Sequence, residues 1–278
     1  MSKTYTIIGQ KGAQDSILKE MIAYRELVFY FAWREFKVRY KQTVIGIFWV
    51  VLQPVLFTLV ITLLLFRGIK APFGDTSVPA VIAVYAGLMI WNYFEQSLNN
   101  ASNSLVNNQS IITKVYFPRY IPALSAVAIG VLDYFIAFLF FIIFAFLLGV
   151  GVNILVTVGS GILAAMIVAI TTYGLGVFFA TLNIQFRDIK FALPFMLRIL
   201  LFASPVFYPL TFLPSQYHWV LFLNPITLAI EQFRYFVLGL PSNLTPLHIS
   251  LSLTMMVAML IIGHLYFRKK ERIFADIA

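Results

Sequence analysis

Four stretches of the chain carry no charged side chain: residues 42–66, 76–94, 134–186 and 235–267. A helix that crosses the hydrocarbon core of a membrane needs about 20 apolar residues, and these stretches meet that length. The stretch 134–186 is too long for one span, and Gly149, Gly151 and Asn153 predict a tight turn near its middle. The pattern therefore predicts membrane-spanning helices, two of which form a hairpin.

The complete pattern predicts an all-α integral membrane protein with six transmembrane helices. The predicted spans are residues 44–66, 78–98, 121–148, 154–182, 191–208 and 247–267. They divide the chain into a cytoplasmic N-terminal segment at 1–43, a transmembrane domain at 44–267 and a cytoplasmic C-terminal tail at 268–278. The composition agrees, because 61% of the residues are hydrophobic and 11% are charged, with a mean hydropathy of +0.89.

The distribution of Lys and Arg orients these spans. Sixteen of the cations fall in the two terminal segments and in the connections 99–120 and 183–190, whereas the opposite side carries only Arg67, Lys70 and Arg234. By the positive-inside rule, both termini are predicted to lie in the cytoplasm, with the protein in the inner (plasma) membrane. The net charge of +9 is mainly this orientation signal, and nucleic-acid binding is the weaker interpretation of it.

An aromatic and cationic segment precedes the first span. Its aromatic side chains recur at helical spacing, at Phe29, Trp33, Phe36 and Tyr40. The cations Arg34, Lys37 and Lys41 lie on another face of the same helix. Such an amphipathic helix is predicted to lie in the membrane surface, with its cations near anionic headgroups. It is either a juxtamembrane anchor or a functional interface.

Two further segments do not fit a bare bundle of spans. The cytosolic loop 107–119 holds a short apolar stretch that needs a covering surface, either a partner protein or the lipid interface. The segment 208–246 is apolar but is interrupted by Pro209, Pro214, Pro225, Gly239, Pro241 and Pro246. Irregular backbone at membrane depth must be shielded by protein or face a watery cavity, so we expect re-entrant half-helices at about 209–241. A folded extracytoplasmic cap is the alternative.

Ionisable groups at membrane depth are candidate functional residues. Asp133 in the third span and Arg198 in the fifth are costly in lipid, so each is expected to face the bundle interior or an aqueous path. Glu231 and Arg234 have the three-residue spacing of a helical ion pair. These groups either belong to a pathway for a polar substrate or lock helices together. Aromatic residues near span ends are membrane-interface residues or stacking platforms for sugar rings, among them Tyr208, Tyr217 and Trp219.

The sequence contains none of the common motifs for nucleotide binding or catalysis. There is no Gly-x-x-x-x-Gly-Lys-Ser/Thr loop for ATP, no cysteine, and only three histidines at unrelated spacings. We therefore expect no catalytic, cofactor-binding or metal-binding residue in this chain. A membrane-embedded glycan-modifying enzyme is an alternative from a different class, but the acids Asp133 and Glu231 are too few for it.

Six short motifs follow one another along nearly the whole chain: WREFKVRYKQTVIG at 33–46 with QP at 53–54, GLMIWN at 87–92, KVYFPR at 114–119, RD at 187–188, SPV at 204–206 and NP at 224–225. Together they resemble the permease subunit of polysaccharide-exporting ATP-binding-cassette transporters, which export O-antigen, capsule and teichoic acid chains. The resemblance implies a homodimer of this chain with two separate ATPase subunits, which bind ATP and Mg, and a lipid-linked glycan as substrate. An exporter of drugs or other lipids is the nearest alternative.

The resemblance also implies roles for three groups of residues. The helix before the first span is the gate helix at the substrate entrance, with Trp33, Arg34, Lys37, Arg39, Tyr40 and Lys41. The loop at about 108–119 and the connection after the fourth span couple to the ATPase through Ile111, Lys114, Phe117, Pro118, Arg119, Arg187 and Asp188. The channel and its outer gate at about 209–241 include Arg198, Tyr208, Tyr217, Trp219, Glu231 and Arg234.

Overall fold

The structure is a computed structural model, and it describes residues 23–41, 46–66, 73, 78–115, 117–242 and 244–271. Some predicted features lie outside these residues, namely the segments 1–22 and 272–278 of the two ends, the start of the first span at Val44, and the cations Arg67 and Lys70.

The described residues form ten α-helices: α1 Arg25–Tyr40, α2 Trp49–Phe66, α3 Ala80–Asn107, α4 Gln109–Ile112, α5 Ile121–Leu147, α6 Ile154–Gln185, α7 Ile189–Ala203, α8 His218–Leu221, α9 Pro225–Leu238 and α10 Pro246–Lys270. Short 3₁₀ turns lie at Gly46–Phe48, Leu210–Phe212 and Ser215–Tyr217. This part of the chain contains no strand, which confirms the predicted all-α class.

Three of the described helices, α5, α6 and α10, are long and apolar enough to cross a membrane. The other apolar helices are less favourable. α2 contains Pro54 within its apolar stretch, α7 has 15 residues, and polar side chains occupy much of the second half of α3. The helices are those of a multi-pass membrane protein.

The turn between α5 and α6 lies where the sequence predicted it. Gly149 adopts φ +70, a left-handed conformation that glycine tolerates best. Asn153 then caps α6, because its side-chain oxygen accepts hydrogen bonds from the backbone N–H groups of Leu155 at 3.0 Å and Val156 at 3.3 Å.

The helix α3 runs to Asn107, whereas the sequence predicted a loop from residue 99. Ser and Asn often interrupt helices because their side chains compete for backbone groups. Here they bond within their own helix: Asn103 donates to the Asn99 carbonyl at 2.8 Å, and Ser104 donates to the Ala101 carbonyl at 2.6 Å. The second predicted span therefore continues as a polar helical extension.

The helix α7 ends at Ala203, before the end of the fifth predicted span at residue 208. Ser204, which precedes Pro205, has φ −95 and ψ 152. A residue before proline is disfavoured in the helical region because it clashes with the proline ring. The chain after Ala203 is consequently not helical, and its carbonyl groups become available to other partners.

The core forms around α3 and α6, which pack against each other and against α5, α9 and α10. The main chains of α6 and α10 approach each other closely. A Cβ atom added to Gly263 would lie 2.0 Å from the carbonyl oxygen of Gly174, so only glycine fits there. Small residues at helix crossings are typical of membrane bundles, where van der Waals packing holds helices together.

Candidate functional site

The helix α1 lies against α5 and presents a ladder of aromatic rings on its outer side. The rings of Phe29 and Trp33 stack with centroids 6.3 Å apart, and those of Trp33 and Phe36 with centroids 5.7 Å apart. Phe29 is 68% exposed and Trp33 48% exposed. The Lys37 ammonium lies 5.2 Å from the centre of a Trp33 ring. This surface combines apolar rings with a cation, whereas the sequence pattern placed Lys37 on a different face from the aromatic residues.

The inner side of α1 is joined to the loop 108–119. Phe31 is buried, and its ring centroid lies 5.4 Å from that of Phe117. The guanidinium of Arg34 lies 5.1 Å from the centre of the same Phe31 ring and donates a hydrogen bond to the side-chain oxygen of Asn108. Arg34 therefore binds the loop, rather than pointing away from the protein.

The C-terminal end of α1 is joined to α5 through a buried carboxylate. Arg39 Nη1 donates to one oxygen of Asp133 at 2.6 Å, and the Tyr40 hydroxyl donates to the other oxygen at 2.6 Å. Asp133 is 6% exposed. A more distant ion pair joins Arg39 to Glu35 within α1, at 3.6 Å. Both oxygens of the Asp133 carboxylate are thus satisfied by adjacent residues of one helix.

The surroundings of this contact raise the pKa values of two side chains in α1. Burial raises the pKa of the Glu35 carboxyl, although the guanidinium groups of Arg39 and Arg34 lower it. Burial also raises the pKa of the Tyr40 phenol, and its hydrogen bond to the Asp133 carboxylate acts in the same direction. Tyr40 consequently keeps its proton and remains a donor to Asp133 at physiological pH.

The loop 108–119 has an anchored base and an exposed tip. Phe117 is buried, and Ile111 packs against the same apolar cluster, which includes Phe31 and Tyr120. Lys114 and Val115 are exposed. Pro118 is half-buried beside Phe117, and Arg119 Nη1 donates to the carbonyl oxygen of Glu271 at 2.6 Å. The base of the loop is therefore fixed to α1, α5 and the end of α10.

A cavity of about 390 Å³ lies between this loop and the connection from α6 to α7. Three cations and several amides line it, among them Arg119, Arg187, Lys190, Asn103, Asn107 and Asn183. Arg187 and Lys190 are exposed, and so is Asp188, the neighbour of Arg187. The structure thus brings two of the predicted coupling residues, Arg119 and Arg187, to one cavity.

The buried cation Arg234 holds the chain between α7 and α9. Its Nη1 donates to the carbonyl of Pro205 at 2.6 Å, and its Nη2 donates to the carbonyl of Val206. Its Nε donates to the carbonyl of Ala83 in α3 at 3.0 Å. Arg234 is 2% exposed, and the Glu231 carboxylate lies 3.5 Å from its Nη1. This geometry favours a lock between helices over a substrate pathway for both residues.

The remaining predicted channel residues lie at the surface of the chain or near it. Tyr208 is half-buried, while Tyr217 and Trp219 are about half exposed, on either side of the buried His218. Arg198 is exposed on α7. It occupies the same face as Phe191, Phe195 and Phe202, all of which are exposed.

The sequence profile of the ABC-2 type transporter family matches residues 26–238, which extend from α1 to the end of α9. The chain belongs to the ABC-2 type transporter family. It is 26% identical over 244 residues to the O-antigen export system permease protein RfbA of Klebsiella pneumoniae, a match that covers 88% of this chain and 92% of that protein.

Two other relatives of this ABC-2 chain are more distant. It is 24% identical to the O-antigen export system permease protein RfbA of Myxococcus xanthus, over 78% of this chain and 82% of that protein. It is 22% identical to the polysialic acid transport protein KpsM of Escherichia coli, over 72% and 77% respectively. The family assignment predicted from the motifs is thereby confirmed.

Within the part of the ABC-2 chain that the structure describes, no three His, Asp or Glu side chains group as metal ligands would. The closest pair of histidines is His218 and His248, whose ring centroids lie 6.2 Å apart. His218 Nε2 lies 2.9 Å from the Leu213 carbonyl oxygen, so this ring nitrogen has a structural partner.

Two contacts of the ABC-2 chain were missed by reasoning from the sequence. The charge of Asp133 signalled a need for a partner at depth, but nothing identified Arg39 and Tyr40 as that partner. Likewise, Asn108 was recognised only as part of a loop, although it receives the Arg34 hydrogen bond. Both contacts join positions far apart in the sequence, which a periodic pattern does not encode.

Proposed function

We propose that this chain is the transmembrane, channel-forming subunit of an ATP-driven exporter that moves a lipid-linked polysaccharide out of the cytoplasm. The observation that carries the proposal is the match to the O-antigen export permease of Klebsiella pneumoniae over nearly the full length of both proteins. The chain acts as a homodimer with two copies of a separate ATP-binding-cassette ATPase, which supply the ATP and Mg chemistry.

In this proposal the chain crosses the membrane six times, through α2, α3, α5, α6, α7 and α10, with both termini in the cytoplasm. The excess of Lys and Arg on the predicted cytoplasmic side supports this orientation. The segment with α8 and α9 enters the membrane from outside and returns. Burial of nearly all of α9 supports that placement, because backbone at membrane depth must be covered by protein.

The loop 108–119 couples the chain to the ATPase. Its exposed Lys114 and Val115 form a contact tip, and its buried Phe117 transmits force to α1 and α5. Arg187 and Asp188 lie beside the same cavity and extend the docking surface. ATP binding changes the conformation of the ATPase pair, and contacts that differ between the two states carry that change into the membrane.

The face of α7 that carries Arg198 lines the channel between two copies of the chain. In lipid an exposed arginine costs several kcal/mol, on scales that range from about 2.5 kcal/mol upward. Phe191, Phe195 and Phe202 on this face require an apolar contact, whereas Arg198 requires water or an anion. A second copy of the chain with an aqueous path satisfies both requirements. Tyr208, Tyr217 and Trp219 belong to its outer gate.

The outer side of α1 forms the substrate entrance. Lys37 is exposed there next to the Trp33 ring, and Lys41 is exposed at the end of the helix, so both are available to the anionic head of a lipid-linked glycan. Arg34 and Arg39, which the resemblance placed in the same role, are instead engaged with Asn108 and Asp133. We assign these two arginines to the support of the entrance.

The test is to tag the chain in its native host, extract it in a mild detergent and identify the co-purifying proteins by mass spectrometry. We expect an ATP-binding-cassette ATPase at about one copy per copy of this chain. If no such ATPase is recovered in either of two mild detergents, the proposal that this chain is an exporter subunit is overturned.

The charge reversal Lys114→Glu tests the docking surface. It should reduce the recovered ATPase at least fivefold while leaving membrane insertion unchanged. The reason is that it reverses a charge at the exposed tip of the loop, where the proposed contact with the ATPase lies. Lys269→Glu is the matched control, since Lys269 is also exposed and lies at the end of α10. Equal recovery with both variants would contradict the assignment of this loop.

A further inference from the structure

Besides the Ser125 hydroxyl of α5, which donates to the Val28 carbonyl at 3.2 Å, the helix α1 has two side-chain contacts of different kinds. Its middle is joined to the loop 108–119 through Phe31 and Arg34. Its C-terminal end is joined to the middle of α5 through Arg39 and Tyr40, which bind Asp133. The two contacts are separated by about two turns of helix, or about 10 Å. One short helix thus connects the proposed ATPase-docking loop to a buried group in a span.

The contact with Asp133 fixes the rotation of α1 as well as its position. Consecutive residues of a helix point about 100° apart. The Asp133 carboxylate takes one hydrogen bond from Arg39 and one from Tyr40, so both bonds survive only at one rotation of the helix. The adjoining Glu35 carboxylate, 3.6 Å from Arg39 Nη2, further restricts the Arg39 side chain.

Asp133 also lies where four helices meet. A small cavity beside it is lined by Val50 and Pro54 of α2, by Tyr93 and Gln96 of α3, and by Asp133 itself. A shift of α1 relative to α5 would therefore disturb the packing of α2 and α3 around Asp133. Removal of the carboxylate would release the C-terminal end of α1, because no other side chain of α5 pairs with a cation of α1 among the described residues.

We propose that Asp133 is a positioning residue for transport: it holds the C-terminal end of α1 on α5, so that displacement of the loop 108–119 moves the spans and the substrate entrance together. This inference rests on the proposed function and adds to it the element through which the coupling loop acts. Asp133 does not touch substrate. It acts through Arg39 and Tyr40, which connect it to the rings and cations of α1.

The experiment separates energy use from export. In the native host, the complex with Asp133→Asn should retain its ATPase subunit and hydrolyse ATP within about twofold of the native rate. Polysaccharide at the cell surface, measured by periodate oxidation and hydrazide labelling of intact cells, should fall at least tenfold. A residue needed only for stability would lower complex recovery, ATP hydrolysis and export in the same proportion.

Glu95→Gln is the matched control. Glu95 is an acid of the neighbouring helix α3 whose carboxylate accepts a hydrogen bond from Trp91 of the same helix, at 2.9 Å. This variant should export normally. If Asp133→Asn does not accumulate, Arg39→Gln with Tyr40→Phe removes the same bonds from the partly exposed side of the contact.

A second measurement uses the absence of cysteine from the chain. The pair Tyr40→Cys and Asp133→Cys removes the contact and allows a short bis-thiosulfonate reagent to replace it covalently. Export should be low in the reduced protein and should recover at least fivefold after cross-linking. Native export by Asp133→Asn, or no recovery after confirmed cross-linking, would overturn the inference. Either result with the ATPase still bound would leave the exporter proposal standing.

Discussion

Two buried ionic sites in the described part of the chain are built differently. At the first, the Asp133 carboxylate is bound by the Arg39 and Tyr40 side chains of another helix, and the Arg39 side chain is 25% exposed. At the second, Arg234 is 2% exposed and donates mainly to backbone carbonyl groups, among them those of Ala83 and Pro205. The first site joins the side chains of two helices, whereas the second holds the main chain in place through its carbonyl groups.

This difference indicates different tasks. A contact between the side chains of two helices joins the helices without fixing the path of either main chain, so the joined helices can move together. The Arg234 contacts cannot open singly, since each released carbonyl and the cation itself would be left in an apolar interior. We infer that the Arg234 site is a fixed point of the fold, and that the Asp133 site connects parts that move.

The largest effect is expected for Arg234→Gln. The substitution removes the guanidinium donors from the carbonyls of Pro205 and Val206 and leaves the Glu231 carboxylate buried without its cation. Breaking a buried pair by removing one partner costs about 3–5 kcal/mol. We expect a large loss of monodisperse protein and a lower melting temperature in detergent, measured by fluorescence-detected size exclusion.

Lys269→Gln is the control for this measurement, because it removes an exposed cation from a helix end. It should leave the melting temperature within the experimental error. A native melting temperature for Arg234→Gln would contradict the view that this arginine fixes the chain between α7 and α9.

The two sites also differ in how far the sequence predicts them. The spacing of Glu231 and Arg234 indicated their ion pair, which the structure contains at 3.5 Å. It did not indicate the stronger contacts with Pro205 and Val206, because carbonyl groups are the same at every position of a sequence. Their availability depends on the end of α7 at Ala203, and the predicted span extended beyond it.

Helices were predicted well where the apolar run and the turn signal agree. The helix α5 was predicted at 121–148 and spans Ile121–Leu147, and α6 was predicted from residue 154, where Asn153 caps it. The second half of α3 was missed, because Asn and Ser side chains that bond within a helix look like a loop in the sequence. The partners of Asp133 were also missed, since Arg39 lies 94 positions away in the sequence.

A smaller effect is expected for Glu231→Gln. The Arg234 guanidinium keeps its backbone carbonyl partners in this variant, and the contact that is lost is long, at 3.5 Å. We expect a loss of about 1.5–3 kcal/mol in the free energy of unfolding, the range of a single hydrogen bond to a charged group. A melting temperature as low as that of Arg234→Gln would show that the ion pair, rather than the carbonyl contacts, stabilises this site.

The smallest effect is expected for Tyr40→Phe, which removes one of the two hydrogen bonds to Asp133 while keeping the ring beside Phe36. Arg39 still binds the other carboxylate oxygen, so the loss should be about 1.5 kcal/mol, the lower end of the range for a hydrogen bond to a charged group. The pKa of the Tyr40 phenol is raised in the folded protein, mainly by burial, above its ordinary value of about 10. The stabilisation from its hydroxyl is therefore fully present below pH 10 and is lost only as the pH rises further. The difference in melting temperature between the native chain and Tyr40→Phe should stay constant from pH 6 to pH 9. A difference that disappears within this range would show that the Tyr40 hydroxyl does not remain a protonated donor to Asp133.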